Sequence, residues 1–198
     1  MAKIHPTAVV DPAAELAADV EVGPGAIVGG PGCVIGAGCV IGPHAQVGPH
    51  TVLGRNNRLY HGAIVGSDPQ DLKFKGEVTT LTVGDGNLFR EYCTINRGTG
   101  SGGGSTTIGN ECLFMVYSHV AHDCHVGSRV IMANSATLAG HITVDDHASI
   151  GGLTPVHQFV RIGTFAFIGG GGWISMDVPP FMLVGGPDSR IMGINNVG

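Results

Sequence analysis

The sequence has little charge, and it lacks the features that mark a disulfide-bonded, exported or membrane-spanning chain. Only 13% of its 198 residues are charged. With a mean hydropathy of +0.26 and a net charge of −5, it carries too much aliphatic surface to persist as a solvated coil. No apolar run reaches the ~18 residues of a membrane helix. The opening MAKIHPTAVV has no apolar core of a signal peptide, so a soluble, unexported, cytoplasmic protein is expected. The five cysteines (Cys33, Cys39, Cys93, Cys112 and Cys124) are odd in number and form no CxxC pair. That argues against a disulfide frame or a structural zinc site and for buried, reduced thiols. Ten Lys plus Arg against fifteen Asp plus Glu give no general basic character, which speaks against nucleic acid as a partner. The 34 glycines keep no period of three, which excludes collagen.

What is present is a period of six. Stepping by six from Ile108 meets an apolar residue twelve times in succession, ending at Ile174. A second run goes from Ile35 to Val65 and a third from Ile4 to Val28, separated by one extra residue near Gly29 and Gly30. Val83, Phe89 and Ile95 form a short run that meets Ile108 after a slip of one. Small residues such as Ala26, Ala45, Thr51, Ala63, Ala136 and Ala148 recur two places before the aliphatic. The third residue after it is often Gly25, Gly38, Asn56, Gly86, Asp123 or His141, types that tolerate positive φ. One large and one small inward residue per hexad, followed by a bend, describes a short strand and a corner rather than a helix. Three such sides close a triangular coil, so the expected fold is all-β: a parallel β-solenoid of about nine or ten coils spaced ~4.8 Å apart. The general rule for crossovers between parallel strands gives a right-handed path.

Two segments leave the pattern. Asp71 and Glu77 occupy what would be aliphatic positions, so Ser67 to Thr80 is read as an extruded loop, and the glycine-rich Gly98 to Ser105 as a second one. Loops on a rigid scaffold are where sites are commonly built. Lys73 and Lys75 on the first loop, with Arg90 and Arg97, are read as a local basic patch or simply a solvated face.

The ten histidines sort by position. His44, His50, His141 and His147 fall at corners and read as turn residues, while His5 and His61 have no evident partner. YSHVAHDCH (Tyr117 to His125) is different: His119 and His125 precede aliphatic positions and should point outward, and His122 sits in the bend beside Asp123. A step of eighteen places Gly140 over His122 and His141 over Asp123. An imidazole, a carboxylate, a second imidazole and a bare backbone N–H then share one corner, enough for a base, its orienting partner and an oxyanion donor. No serine with a nucleophile elbow is visible, so direct attack by an activated hydroxyl is the more natural chemistry. Two alternatives stand beside it: zinc held by the histidines, as in the gamma-class carbonic anhydrases, and a purely structural solenoid.

The stretches GSDPQDLKFKGE, TINRGTGSGGGSTTIG, HVAHDCHVG, ANSATLAGHITVDD, GGLTPVHQF and DVPPF, in this order, resemble the hexapeptide-repeat acyltransferases. Among those they are similar to the UDP-N-acetylglucosamine O-acyltransferases that open lipid A biosynthesis. The resemblance runs from about Ile4 to Gly198 and implies a left-handed parallel β-helix. It implies that His122 is the general base, removing the proton from the glucosamine 3-hydroxyl as it attacks the thioester of an (R)-3-hydroxyacyl acyl carrier protein. Asp123 would orient that imidazole, and Gly140 would supply the oxyanion N–H. His119, His141 and Gln158 match residues lining the sugar nucleotide, Asp71 and Lys73 a loop pair reaching sugar and acyl donor, and Asn195 a nucleotide contact. Gly170 matches an acyl-chain ruler, with Trp173 close by, and Asp188 stands where some relatives have histidine. The resemblance further implies homotrimers with the site between neighbouring prisms, no metal or redox cofactor, and sibling enzymes that acylate a 2-amino or 3-amino sugar. It also implies a helical domain beyond the prism, which residues 1–198 do not hold. The chain as given is therefore expected to fold and trimerise but to bind nucleotide and carrier protein weakly.

Overall fold

A computed structural model describes residues 1–186 and 189–196; Asp188 lies outside them. Among the described residues, 27 short strands and one 3-10 turn, Gly100–Gly102, make up the regular structure. The strands form three sheets of eleven, eight and eight members, which take every third strand in sequence up to Phe167–Ile168, after which the last two strands both add to the first sheet. The first face begins with Lys3–Ile4, the second with Val9–Val10 and the third with Glu15–Leu16. Eight complete coils result, and two isolated bridges, Val156 with Ile174 and Ile162 with Val178, close a ninth. The last two described strands, Met182–Gly185 and Arg190–Ile194, form an antiparallel pair on the first face.

From Glu21–Val22 onward, each two-residue strand buries its second side chain and leaves its first exposed or half-buried, as the alternation of β geometry requires. The inward residues stack along the axis into one core. Phe89 and Phe114, both fully buried, lie face to face with ring centroids 5.0 Å apart. The small inward positions are filled as the period implies: Ala26, Ala45, Ala63, Ala136 and Ala148 are fully buried. At the corners, Asn56, Asp123 and His141 have φ of 56°, 57° and 63°, and His44, His50 and His147 are likewise left-handed. The corner reading of these histidines therefore holds.

The coil is left-handed, against the crossover rule. That rule draws its hand from the twist of long strands, and strands of two residues accumulate almost none. The extra residue is taken up at Gly29 and Gly30, so that Val28 pairs with Val47. The two insertions displace the register, pairing Leu53 with Val83 and Val83 with Ile108. The strands Ile64–Ser67 and Thr80–Val83 bound the first loop, and Thr94–Asn96 and Ser105–Ile108 the second.

All five cysteines are buried and free, at the small inward position of their hexads. The thiols of Cys39, Cys112 and Cys124 each donate to a carbonyl of the next coil at 3.1 Å. Burial pushes the Cys93 and Cys124 thiols up to about 12, and those of Cys33 and Cys112 up to about 11. Native protein is therefore expected to resist alkylation at about pH 8 while denatured protein is labelled at all five sites. The unfolded thiols ionise near pH 8.5 and the folded ones do not. Their contribution to stability is thus complete below about pH 8.5 and falls as pH rises toward 11. Denaturant midpoints measured across that range check the sign.

Candidate active site

The prism has three edges, and nearly all of the chemistry suggested by the sequence falls on one, between the second and third faces. Both insertions leave the coil there, between Ile64–Ser67 and Thr80–Val83 and between Thr94–Asn96 and Ser105–Ile108. The next coil turns the same edge through His122 and Asp123, between His119–Val120 and His125–Val126. Gly140 and His141 turn it one coil later, and Gln158 and Phe159 after that.

Asp123 is 2% exposed and densely bonded. Its Oδ1 accepts the Thr99 N–H at 2.9 Å, and its Oδ2 accepts the Thr99 hydroxyl at 2.6 Å. The same Oδ2 lies 2.8 Å from His122 Nδ1 and 3.9 Å from His141 Nδ1. A carboxylate can only accept, so His122 Nδ1 carries a hydrogen, and in the neutral ring Nε2 is then the nitrogen with the free lone pair. The His141 ring meets His122 edge-on at 5.1 Å and stacks on Phe159 at 4.6 Å. A Cβ on Gly140 would lie 2.6 Å from His122 Cε1, so the imidazole rests where only glycine leaves room. The Gly140 N–H makes no hydrogen bond to any described residue, which suits an oxyanion donor.

His119 points outward from the second face, its Nδ1 2.7 Å from Thr94 Oγ1. Burial, with a smaller contribution from His122, pushes its pKa below the usual imidazole value. It therefore serves near neutral pH as a neutral hydrogen-bonding group. His125 is exposed as expected and pairs with Thr107 at 2.9 Å.

His122, Asp123 and His141 place ligand atoms within 4.8 Å of one another, which a metal could use. The donors already on Asp123 favour an imidazole partner over a metal ligand.

The remaining expectations divide between this edge and the other two. Asp71 and Lys73 lie on the first loop, where the Asp71 carboxylate accepts the Lys73 N–H at 2.8 Å. Gln158 is exposed, and its carbonyl is bonded to His157. Asn195 bonds the Phe165 carbonyl at 2.9 Å, on the edge between the third and first faces. Gly170 turns the remaining edge, between the first and second faces, and Trp173 stands outward on the second face. One prism thus does not bring Asn195 or Gly170 to the edge of His122. The basic patch also dissolves. Arg97 is 4% exposed and spans the base of the first loop, bonding the Gly66 carbonyl and the Asp68 carboxylate. Arg90 follows Leu88–Phe89 at another edge, paired with Glu91 and lying over Tyr60. A guanidinium counted as surface charge is here a buried clamp, because Asp68 and a free carbonyl offer it partners. Thr99, Thr94 and Phe159 were not singled out from the sequence. Phe159 was within reach, one step of eighteen beyond His141.

Known proteins share this architecture. The family described as bacterial transferase hexapeptide (six repeats) matches residues 32–67 and 105–140. The acyl-ACP:UDP-N-acetylglucosamine O-acyltransferase of Stenotrophomonas maltophilia (strain R551-3) is 59% identical over 198 residues, covering 99% of this chain and 74% of that protein. That of Xylella fastidiosa (strain Temecula1) is 57% identical over 196 residues, with 98% and 74% covered. The structure of LpxA from Acinetobacter baumannii superimposes with a TM-score of 0.95 at 44% identity, over 97% of this chain and 74% of that one. On this identity, coverage and shared fold, the chain belongs to the acyl-ACP:UDP-N-acetylglucosamine O-acyltransferase family.

Proposed function

We propose that this protein transfers an (R)-3-hydroxyacyl chain from acyl carrier protein to the glucosamine 3-hydroxyl of UDP-N-acetylglucosamine, the first step of lipid A biosynthesis, with His122 as general base. The observation that carries the base assignment is the His122 to Asp123 contact at 2.8 Å on the edge where both loops emerge. His122 Nε2 takes the hydroxyl proton as the sugar oxygen attacks the thioester carbonyl. The C–S bond then breaks, and the imidazolium returns its proton to the leaving thiolate. Asp123 holds the ring and balances its positive charge, and the Gly140 N–H receives the oxyanion. His119, His141 and Gln158 line the acceptor sugar nucleotide, while Asp71 and Lys73 reach over it from the first loop. No metal or redox cofactor is required for this step.

The assembly we propose is a homotrimer. Leu72 on the first loop is 99% exposed, and Phe159 and Trp173 are each 64% exposed; a neighbouring prism would cover such apolar surface. Asn195 and Gly170, on other edges, would reach the His122 edge of a neighbour and act there as nucleotide contact and acyl-chain ruler. Residues 1–198 are read as one β-helix domain, and adding a helical domain with basic residues is expected to tighten binding of nucleotide and carrier. No helix among the described residues is long and apolar enough to cross a membrane. We place the reaction in the cytoplasm.

Incubation with UDP-N-acetylglucosamine and (R)-3-hydroxyacyl carrier protein, followed by mass spectrometry of the product, tests the reaction. Acyl chain on the 3-oxygen supports it; transfer only to an amino-sugar analogue sinks it. The compact His122, Asp123 and His141 group favours a second reading, a zinc site, and stoichiometric zinc in purified protein would support that instead.

A further inference from the structure

The glycine-rich segment 98–104 does more than interrupt the coil. Thr99 is 1% exposed and caps the 3-10 turn Gly100–Gly102. Its hydroxyl accepts the Gly102 N–H at 3.1 Å, and its single proton is directed to Asp123 Oδ2 at 2.6 Å. With its own N–H on Oδ1 at 2.9 Å, Thr99 holds both carboxylate oxygens at once. Two donors on two oxygens fix the plane of the carboxylate, and with it which oxygen faces His122. The turn is shaped for this grip: a side chain on Gly102 would overlap the Asp123 carboxylate. It is also tethered, because Glu77 of the first loop accepts the Gly100 N–H at 3.1 Å.

We propose that Thr99 is a positioning residue for the acyl transfer: through its paired donation to Asp123 it sets the orientation of the His122 imidazole. The inference rests on the reading of His122 and Asp123 as the reacting pair. Thr99 touches neither substrate nor reacting atom, so its effect belongs in the chemical step and not in binding.

The test is steady-state kinetics of Thr99→Val and Thr99→Ser, alone and in an Asp123→Asn background, with the folded fraction followed by circular dichroism. Thr99→Val removes the hydroxyl but keeps shape and backbone donor, and is expected to lower kcat on the order of tenfold to a hundredfold with KM for both substrates nearly unchanged. Thr99→Ser keeps the hydroxyl and is expected to recover most of that loss. In the Asp123→Asn background, Thr99→Val should add less than about twofold, because the carboxylate whose orientation Thr99 sets is already gone. If Thr99→Val does not fold, Thr99→Ala serves in its place. A merely structural turn residue would lower the melting temperature while leaving kcat per folded molecule intact. That result, or full additivity with Asp123→Asn, overturns the proposal. Wild-type kcat in Asp123→Asn alone would instead remove the reacting pair itself, which separates the two failures.

Discussion

Replacing His122 with alanine is expected to lower the rate of acyl transfer by about a hundredfold or more, the usual contribution of a positioned general base. Structural damage is not expected to account for the loss. His122 stands outside the stacked core, at a corner where the left-handed conformation is carried by Asp123. Alanine keeps the backbone bonds that join this coil to the next, such as His141 N–H to the His122 carbonyl at 3.1 Å. What disappears is the only imidazole bonded to Asp123 at 2.8 Å among the described residues. The measurement is kcat at saturating substrate beside a thermal melt. Retained turnover would assign the proton transfer to another group, with His141, 3.9 Å from the same carboxylate oxygen, the first to examine.

The second large effect is expected at Gly140. A methyl group there would stand 2.6 Å from Cε1 and 2.9 Å from Nε2 of His122. The ring must move, because the opposing atoms belong to the base. The backbone on the other side is held by the coil, with the Gly140 carbonyl accepting the Phe159 N–H at 3.3 Å. A shift of about 1 Å in a catalytic group can cost about a hundredfold, so Gly140→Ala is expected to lose activity on that scale while its φ remains accessible to alanine. A crystal structure showing the ring displaced, together with the kinetics, checks both halves. Full activity would mean that the observed ring position is not the working one.

The frame that carries these residues was legible because each hexad repeats the same requirement. An aliphatic at Ile108 and every sixth residue to Ile174 fills one continuous core, and Asn, Asp or His at the third place meets a positive φ. Stacking by eighteen then brought Gly140 over His122. Asp71 and Glu77, where aliphatics belong, announced the first loop. Less was visible where the frame slips. Thr99 comes to lie against Asp123 only after the glycine-rich insertion folds back, and no period relates two residues across an insertion of unknown path. The burial of Arg97 was hidden because its partners, Asp68 and the Gly66 carbonyl, depend on how the first loop leaves the coil. Handedness had to come from resemblance, since strands this short carry too little twist to fix it.

The most direct measurement is a single-turnover experiment with the protein in excess over UDP-N-acetylglucosamine, so that weak binding does not mask the chemistry, using isotopically labelled (R)-3-hydroxyacyl carrier protein. The account predicts label on the sugar 3-oxygen in one kinetic phase that His122→Ala slows by about a hundredfold, with none attached to the polypeptide at any time. Label trapped covalently on the protein, or equal phases for the two proteins, would contradict it.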